Sequence, residues 1–150
     1  MKYLLGIDIS TTGAKALLID ASGSVVGVKN TPIPLSTPKP LWSEQDPADW
    51  WNGILNSIQK LIAETEIDTR EIAAIGLTGQ MHGLTMLDRN GEVIRPAILW
   101  NDQRTAKQCQ EIHTVIGKQK FLQTTGNRAL TGFTAPKILW VKEHEPEAFD

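Results

Sequence analysis

Cysteine occurs once, at Cys109, so this chain can form no internal disulfide. With three scattered histidines (His82, His113, His144), it also lacks the Cys/His set of a zinc site. Apolar runs are short: Tyr3 to Ile7 is cut by Asp8, too soon for a signal peptide or a membrane span. Charge of one sign never accumulates. The formal net charge of −2 and pI near 5.9 give no general attraction to nucleic acid or to an anionic membrane. No Gly-x-Gly-x-x-Gly fingerprint is present, and the spacing from Gly6 to Gly13-Ala14-Lys15 is wrong for a P-loop. The defaults are a cytoplasmic protein with no nucleic-acid or membrane partner, in which Cys109 is a structural or surface thiol.

What is present is ordinary for a globular domain: 150 residues, 41% hydrophobic and 21% charged. That length suits one domain and buries about 70% of the unfolded surface. Residues 3–8 and 14–20 read as strands, and Ala21-Ser22-Gly23 turns the chain into a third at 24–28, giving a meander. Four of the eight prolines fall in residues 30–45, an extended loop or edge segment. Asp46-Pro47 is a helix start, Asp as N-cap and Pro at the first helical position. Trp50, Trp51, Ile54, Leu55, Ile58, Leu61 and Ile62 then recur at helical spacing to about Glu64, a core face.

Residues 72–78 read as a buried strand, and residues 84–94 as a hairpin whose turn is Asn90-Gly91. A helix is expected from about Asp102 to Ile116, closed by Gly117, and a last one over 135–144 with Pro136 in its first turn. The expected class is mixed α/β, without repeats.

Three polar clusters follow apolar runs. Gly79-Gln80-Met81-His82-Gly83 places an amide, a thioether and an imidazole between two glycines that let the backbone turn sharply. A plain turn needs the glycines but not Gln-Met-His, which makes the segment a candidate for binding a small polar ligand. The competing reading makes His82 a surface or hydrogen-bonded residue. At the second cluster a strand delivers Asp8 to Ser10-Thr11-Thr12-Gly13, with Lys15 entering the next strand. Backbone N–H groups and hydroxyls can cradle phosphate there, while a carboxylate holds Mg²⁺ through water. Asp8 capping its own turn is the alternative. At the third, Trp100-Asn101-Asp102-Gln103-Arg104, Asn and Asp can bond sugar hydroxyls, and Arg104 can pair with Asp102 or reach the ligand. Helix capping by Asn101 or Asp102 competes with that role. His113 and His144 read as solvated.

Together these segments resemble the FGGY carbohydrate kinases. The resemblance is carried by Gly6-Ile7-Asp8 with residues 11–15, by Leu41-Trp42-Ser43-Glu44-Gln45-Asp46-Pro47, and by Gly79-Gln80-Met81-His82-Gly83. Residues 96–104, Thr125-Gly126-Asn127 and Gly132–Trp140 extend it over nearly the whole chain. It implies a ribonuclease H-like, actin-like ATPase fold, of which residues 1–150 would be the N-terminal part of the first domain. The second, nucleotide-binding domain and the general base would lie outside these residues.

The implied reaction is ATP-dependent phosphorylation of a ketose, and the loop at 79–83 tilts the choice to D-xylulose over gluconate, ribulose or glycerol. The resemblance assigns Asp8 to Mg²⁺ and the transferring phosphate, and Thr11, Thr12, Gly13 and Lys15 to the nucleotide phosphates. Met81 and His82 are assigned to the ketose, with Gln80, Asn101 and Asp102 as helpers. Ser10 departs from the glycine more usual in the family. The 150-residue chain alone is expected to be inactive and to expose an edge strand and apolar surface, with a homodimer among the assemblies this allows. A non-catalytic sugar- or phosphate-binding module is the alternative from another class. A structural ATPase would leave the 79–83 loop unexplained.

Overall fold

Short apolar runs in the first third build the meander that the sequence predicts. In the computed structural model, which describes residues 2–149, β1 (Tyr3–Ile9), β2 (Gly13–Asp20) and β3 (Val25–Pro32) are antiparallel neighbours. The third strand runs to Pro32, four residues beyond its expected end. β5 (Ile72–Gly79) joins β1 in parallel, so the sheet order is β3-β2-β1-β5. Two compact units are formed. One runs up to Leu35 and includes Pro47–Gln80; the other takes Ser36–Asp46 and the chain from Met81 onward.

In the first unit, α1 (Pro47–Thr65) begins at the proline whose fixed φ suits a first helical position. Its inner side places Ile54 and Leu61 against Leu5, Ala14, Ala16, Leu18 and Ile33 of the sheet. Each such aliphatic side chain contributes about 1.5–3 kcal/mol by leaving water. Gly53 permits the close approach, since a Cβ there would stand 3.2 Å from the Ala14 Cβ. Ser57 pins the contact: its hydroxyl donates to the Ala14 carbonyl at 2.8 Å and bonds the Thr31 hydroxyl at 2.8 Å. Trp51, expected in the core, is 64% exposed, and Leu55 also faces water. The buried face is narrower than the apolar stripe.

β5 corrects the expectation of a buried strand. It pairs with β1 on one side only, and among the described residues its other edge meets no strand. Ile75 and Leu77 are 59% and 78% exposed, because α1 packs on β2 and β3 and does not reach so far.

The second unit has a small sheet, β4 (Glu44–Gln45) paired with β6 (Ala97–Ile98), and four helices. These are α2 (Ala106–Ile112), α3 (Lys118–Thr125), α4 (Thr134–His144) and α5 (Pro146–Phe149). The expected hairpin at 84–94 survives as one bridge, Leu87 with Val93. Its turn is not the two-residue Asn-Gly type. Asp88 accepts the amides of Asn90 and Glu92 at 2.8 Å each, and only Gly91 is left-handed. The helix expected to stop at Gly117 starts later, at Ala106, and continues: a π-turn at His113–Gly117 absorbs the glycine, and Gly126 supplies the left-handed stop. No described helix is long and apolar enough to cross a membrane.

Candidate active site

In the first unit, Asp8 ends β1 beside two neighbours. Register pairs it with Lys15 across the hairpin and with Thr78 on β5. These residues, with Gly6, Leu17, Gly76 and Leu77, line an open groove of about 300 Å³. No described hydrogen bond or ion pair engages the Asp8 carboxylate. That does not match the capping alternative, in which the aspartate would be spent on its own turn.

The hairpin closes itself through Ser10. Its amide donates to the Gly13 carbonyl at 2.9 Å, and its hydroxyl donates there at 3.1 Å while accepting the Thr12 amide at 3.4 Å. Ser10 does not occupy the left-handed region, so this position does not require the glycine usual in the family. At Gly13 a Cβ would stand 2.6 Å from the tip of the Asn30 side chain, so a larger residue there would push that amide aside. The donor set fits a hydrated Mg²⁺ and phosphates, namely one uncommitted carboxylate, a nearby ammonium and turn hydroxyls.

The second unit carries the other cluster. His82 has φ +64°, a left-handed conformation uncommon outside glycine. Its carbonyl accepts from Lys137 Nζ at 2.6 Å and from the Thr134 hydroxyl at 3.3 Å. Its ring lies 4.5 Å from Phe133. Met81 beside it is 73% exposed. The loop leads toward the Trp100–Arg104 cluster through paired bonds between Leu84 and Ile98, at 2.9 and 3.1 Å. Trp100 and Asn101, both exposed, follow directly. Met81, His82, Trp100 and Asn101 thus belong to one set of loops in this unit, whereas Gln80 ends the other.

Asp102 stands differently from its assignment as a sugar helper. It is wholly buried, and both its oxygens are taken. Oδ2 accepts the Ser43 amide and Arg104 Nη2, each at 2.7 Å, and Oδ1 accepts the Arg104 amide at 2.9 Å. It does not cap a helix either, since α2 begins at Ala106 with Thr105 at the N-cap position; Asp102 closes its own turn onto Arg104, which pairs with it rather than reaching outward.

Arg104 also pairs with Glu44 at 2.8 Å and lies 3.7 Å from the centre of the Trp42 ring. Glu44 in turn holds Arg95, which reaches Glu145 at 2.8 Å. The Trp42-Ser43-Glu44 segment is therefore the frame of this unit, with Ser43 and Glu44 buried and Trp42 half-buried against its neighbours. One histidine departs from expectation: His113 is half-buried, and its Nε2 accepts the Ala129 amide at 3.1 Å. His144 is exposed as expected, with its ring stacked on Trp140 at 4.7 Å.

Sequence reasoning missed Lys137. It is fully buried, and burial pushes its ammonium down to about 8, Asp102 opposing the shift and Arg104 adding to it. The signal was its spacing, since Lys137, Trp140, Val141 and His144 follow one helical stripe.

A mixed sheet of order β3-β2-β1-β5, with a carboxylate at the first hairpin, defines the start of an actin-like ATPase domain of the sugar-kinase type. The chain belongs to the FGGY family of carbohydrate kinases: residues 3–150 match that family's N-terminal domain. It is 44% identical over 145 residues to the xylulose kinase of Klebsiella pneumoniae, covering 97% of this chain and 29% of that protein. The crystal structure of a xylulose kinase from Rhodospirillum rubrum superposes with TM-score 0.93 at 31% identity, over 99% of this chain and 30% of the other. A Brucella ovis crystal structure, described as a "xyloylose kinase", gives 0.90 at 43% identity, over 98% and 30%. The chain spans about 30% of the length of the relatives it matches.

Proposed function

We propose that this chain is the N-terminal part of a cytoplasmic kinase that transfers the γ-phosphoryl group of ATP, with Mg²⁺, to D-xylulose. The observation that carries the reading is the Gly79–Gly83 loop. It holds His82 in a strained left-handed conformation and leaves Met81 in solvent, the kind of strain and exposure that collects at binding sites. Likeness to xylulose kinases over 97% of the chain supports the choice of sugar.

Phosphoryl transfer is catalysed mainly by positioning and by charge stabilisation. Asp8 would hold Mg²⁺ through water and orient the phosphate, with Lys15 adding positive charge and Thr11, Thr12 and Gly13 lining the phosphate turn. When bound, Mg²⁺ neutralises charge developing on the phosphate oxygens. Met81 would pack on the carbon face of the ketose, while the His82 ring, Gln80 and Asn101 bond its hydroxyls. Asp102 acts indirectly, fixing the turn that presents Trp100 and Asn101. The general base would come from a later segment outside these residues, and most contacts to the nucleotide base from a second domain. A homodimer is compatible with the open β5 edge.

Calorimetric titration of the full-length protein with D-xylulose, ribulose, gluconate and glycerol tests the choice of sugar. D-xylulose should bind tightest. Tighter binding of glycerol or gluconate would reassign the substrate within the family.

A further inference from the structure

Lys137 is an unusual residue for the interior. It lies in α4 on the same stripe as Trp140 and Val141, has no exposed surface, and forms no ion pair within bonding distance. Burying an ammonium is costly unless it is well bonded. Its Nζ donates to two backbone carbonyls, of His82 and of Gly132, each at 2.6 Å. Those carbonyls lie on the two segments that meet at the His82–Phe133 ring contact. Both segments are sterically demanding. His82 is left-handed, a conformation costing about 1–2 kcal/mol for a residue with a Cβ. Gly132 approaches the Trp100 carbonyl so closely that a Cβ would stand 2.6 Å from its oxygen.

We propose that Lys137 is a positioning residue for sugar recognition: by bridging the His82 and Gly132 carbonyls it fixes the left-handed turn that presents Met81 and His82. The inference rests on the ketose-binding reading of that loop. An amine suits this task in either charge state. Protonated, it has three N–H donors; neutral, it keeps two, matching the two carbonyls. Methionine would fill the space but donate nothing. Thr134 assists from the surface through its longer bond to the same His82 oxygen.

The role separates from a purely structural one because it acts on one substrate. In the full-length protein, Lys137→Met should raise KM for D-xylulose about tenfold or more, the loss of a charge-assisted bond to each carbonyl. KM for ATP should stay within about twofold. Amide exchange followed by mass spectrometry should show the peptide covering 79–86 opening about tenfold faster, with other segments unchanged. Exchange at 79–86 equal to wild type in a folded variant would overturn the bridge. Faster exchange with an unchanged sugar KM, or equal losses for sugar and ATP, would overturn the positioning role.

If Lys137→Met does not fold, Thr134→Val decides. A rise of about two- to threefold in sugar KM alone supports the proposal, and no change overturns it. Should wild type bind none of the sugars, the ketose reading fails on its own, and with it the recognition role; the exchange data then show only whether the bridge exists.

Discussion

The guanidinium carbon of Arg104 lies 3.7 Å from the centre of the Trp42 ring, which turns a surface-type residue into the keystone of the second unit. Cation–π contact, the ion pair with Asp102 and the pair with Glu44 converge on one buried side chain. The Trp-Ser-Glu-Gln segment identifies the family while its Trp42, Ser43 and Glu44 face inward.

Removing Arg104 should therefore unfold more than it inactivates. Arg104→Met leaves Asp102 buried without its cation and should cost about 3–5 kcal/mol. Urea denaturation followed by tryptophan fluorescence measures this directly, because Trp42 and Trp140 both lie against the guanidinium. A loss below about 1 kcal/mol would show the network to be as weak as an exposed ion pair.

Stability should rise with pH above neutrality. Lys137 titrates near 8 when folded against an ordinary value of 10.5, because burial disfavours the charged form. Between those values the unfolded chain binds the extra proton, so raising the pH favours the folded state. The burial cost is fully present below about 8 and is relieved as pH climbs toward 10.5. The difference in urea midpoint between wild type and Lys137→Met, taken from pH 7 to 10, isolates this from other titrating groups. A flat difference would contradict the assignment.

Strain and function can be separated at His82. Glycine adopts φ near +64° without penalty, so His82→Gly should leave stability unchanged or raise it by about 1 kcal/mol. Sugar affinity should nevertheless fall, since the ring is gone. Thermal melting and D-xylulose titration of one sample read both effects. Retained affinity would remove the imidazole from the site.

Much of this arrangement was legible in the sequence. β1 and β2 followed from continuous apolar runs, α1 from helical spacing and Pro47, and the 79–83 loop stood out because its chemistry exceeded the needs of a turn. Boundaries failed where backbone geometry intervened. Gly117 looks like a helix stop, but a π-turn takes up its φ of +87° and the helix resumes at Lys118. β5 read as buried because its residues are apolar, yet composition does not say which neighbour covers a strand. Asp102 and Lys137 were hard to read for a shared reason: a charged residue is assigned to solvent or ligand unless its buried partners are known. The deciding partners, Ser43 for Asp102 and the His82 carbonyl for Lys137, come from distant parts of the chain.

Coupled ADP release with ATP and Mg²⁺, with D-xylulose, ribulose, gluconate and glycerol in parallel, tests the central claim most directly. The full-length protein should turn over D-xylulose selectively, Asp8→Asn should abolish that turnover, and the 150-residue chain should be silent although folded by circular dichroism. Selective turnover of another sugar, or none from a folded full-length protein, would contradict the account.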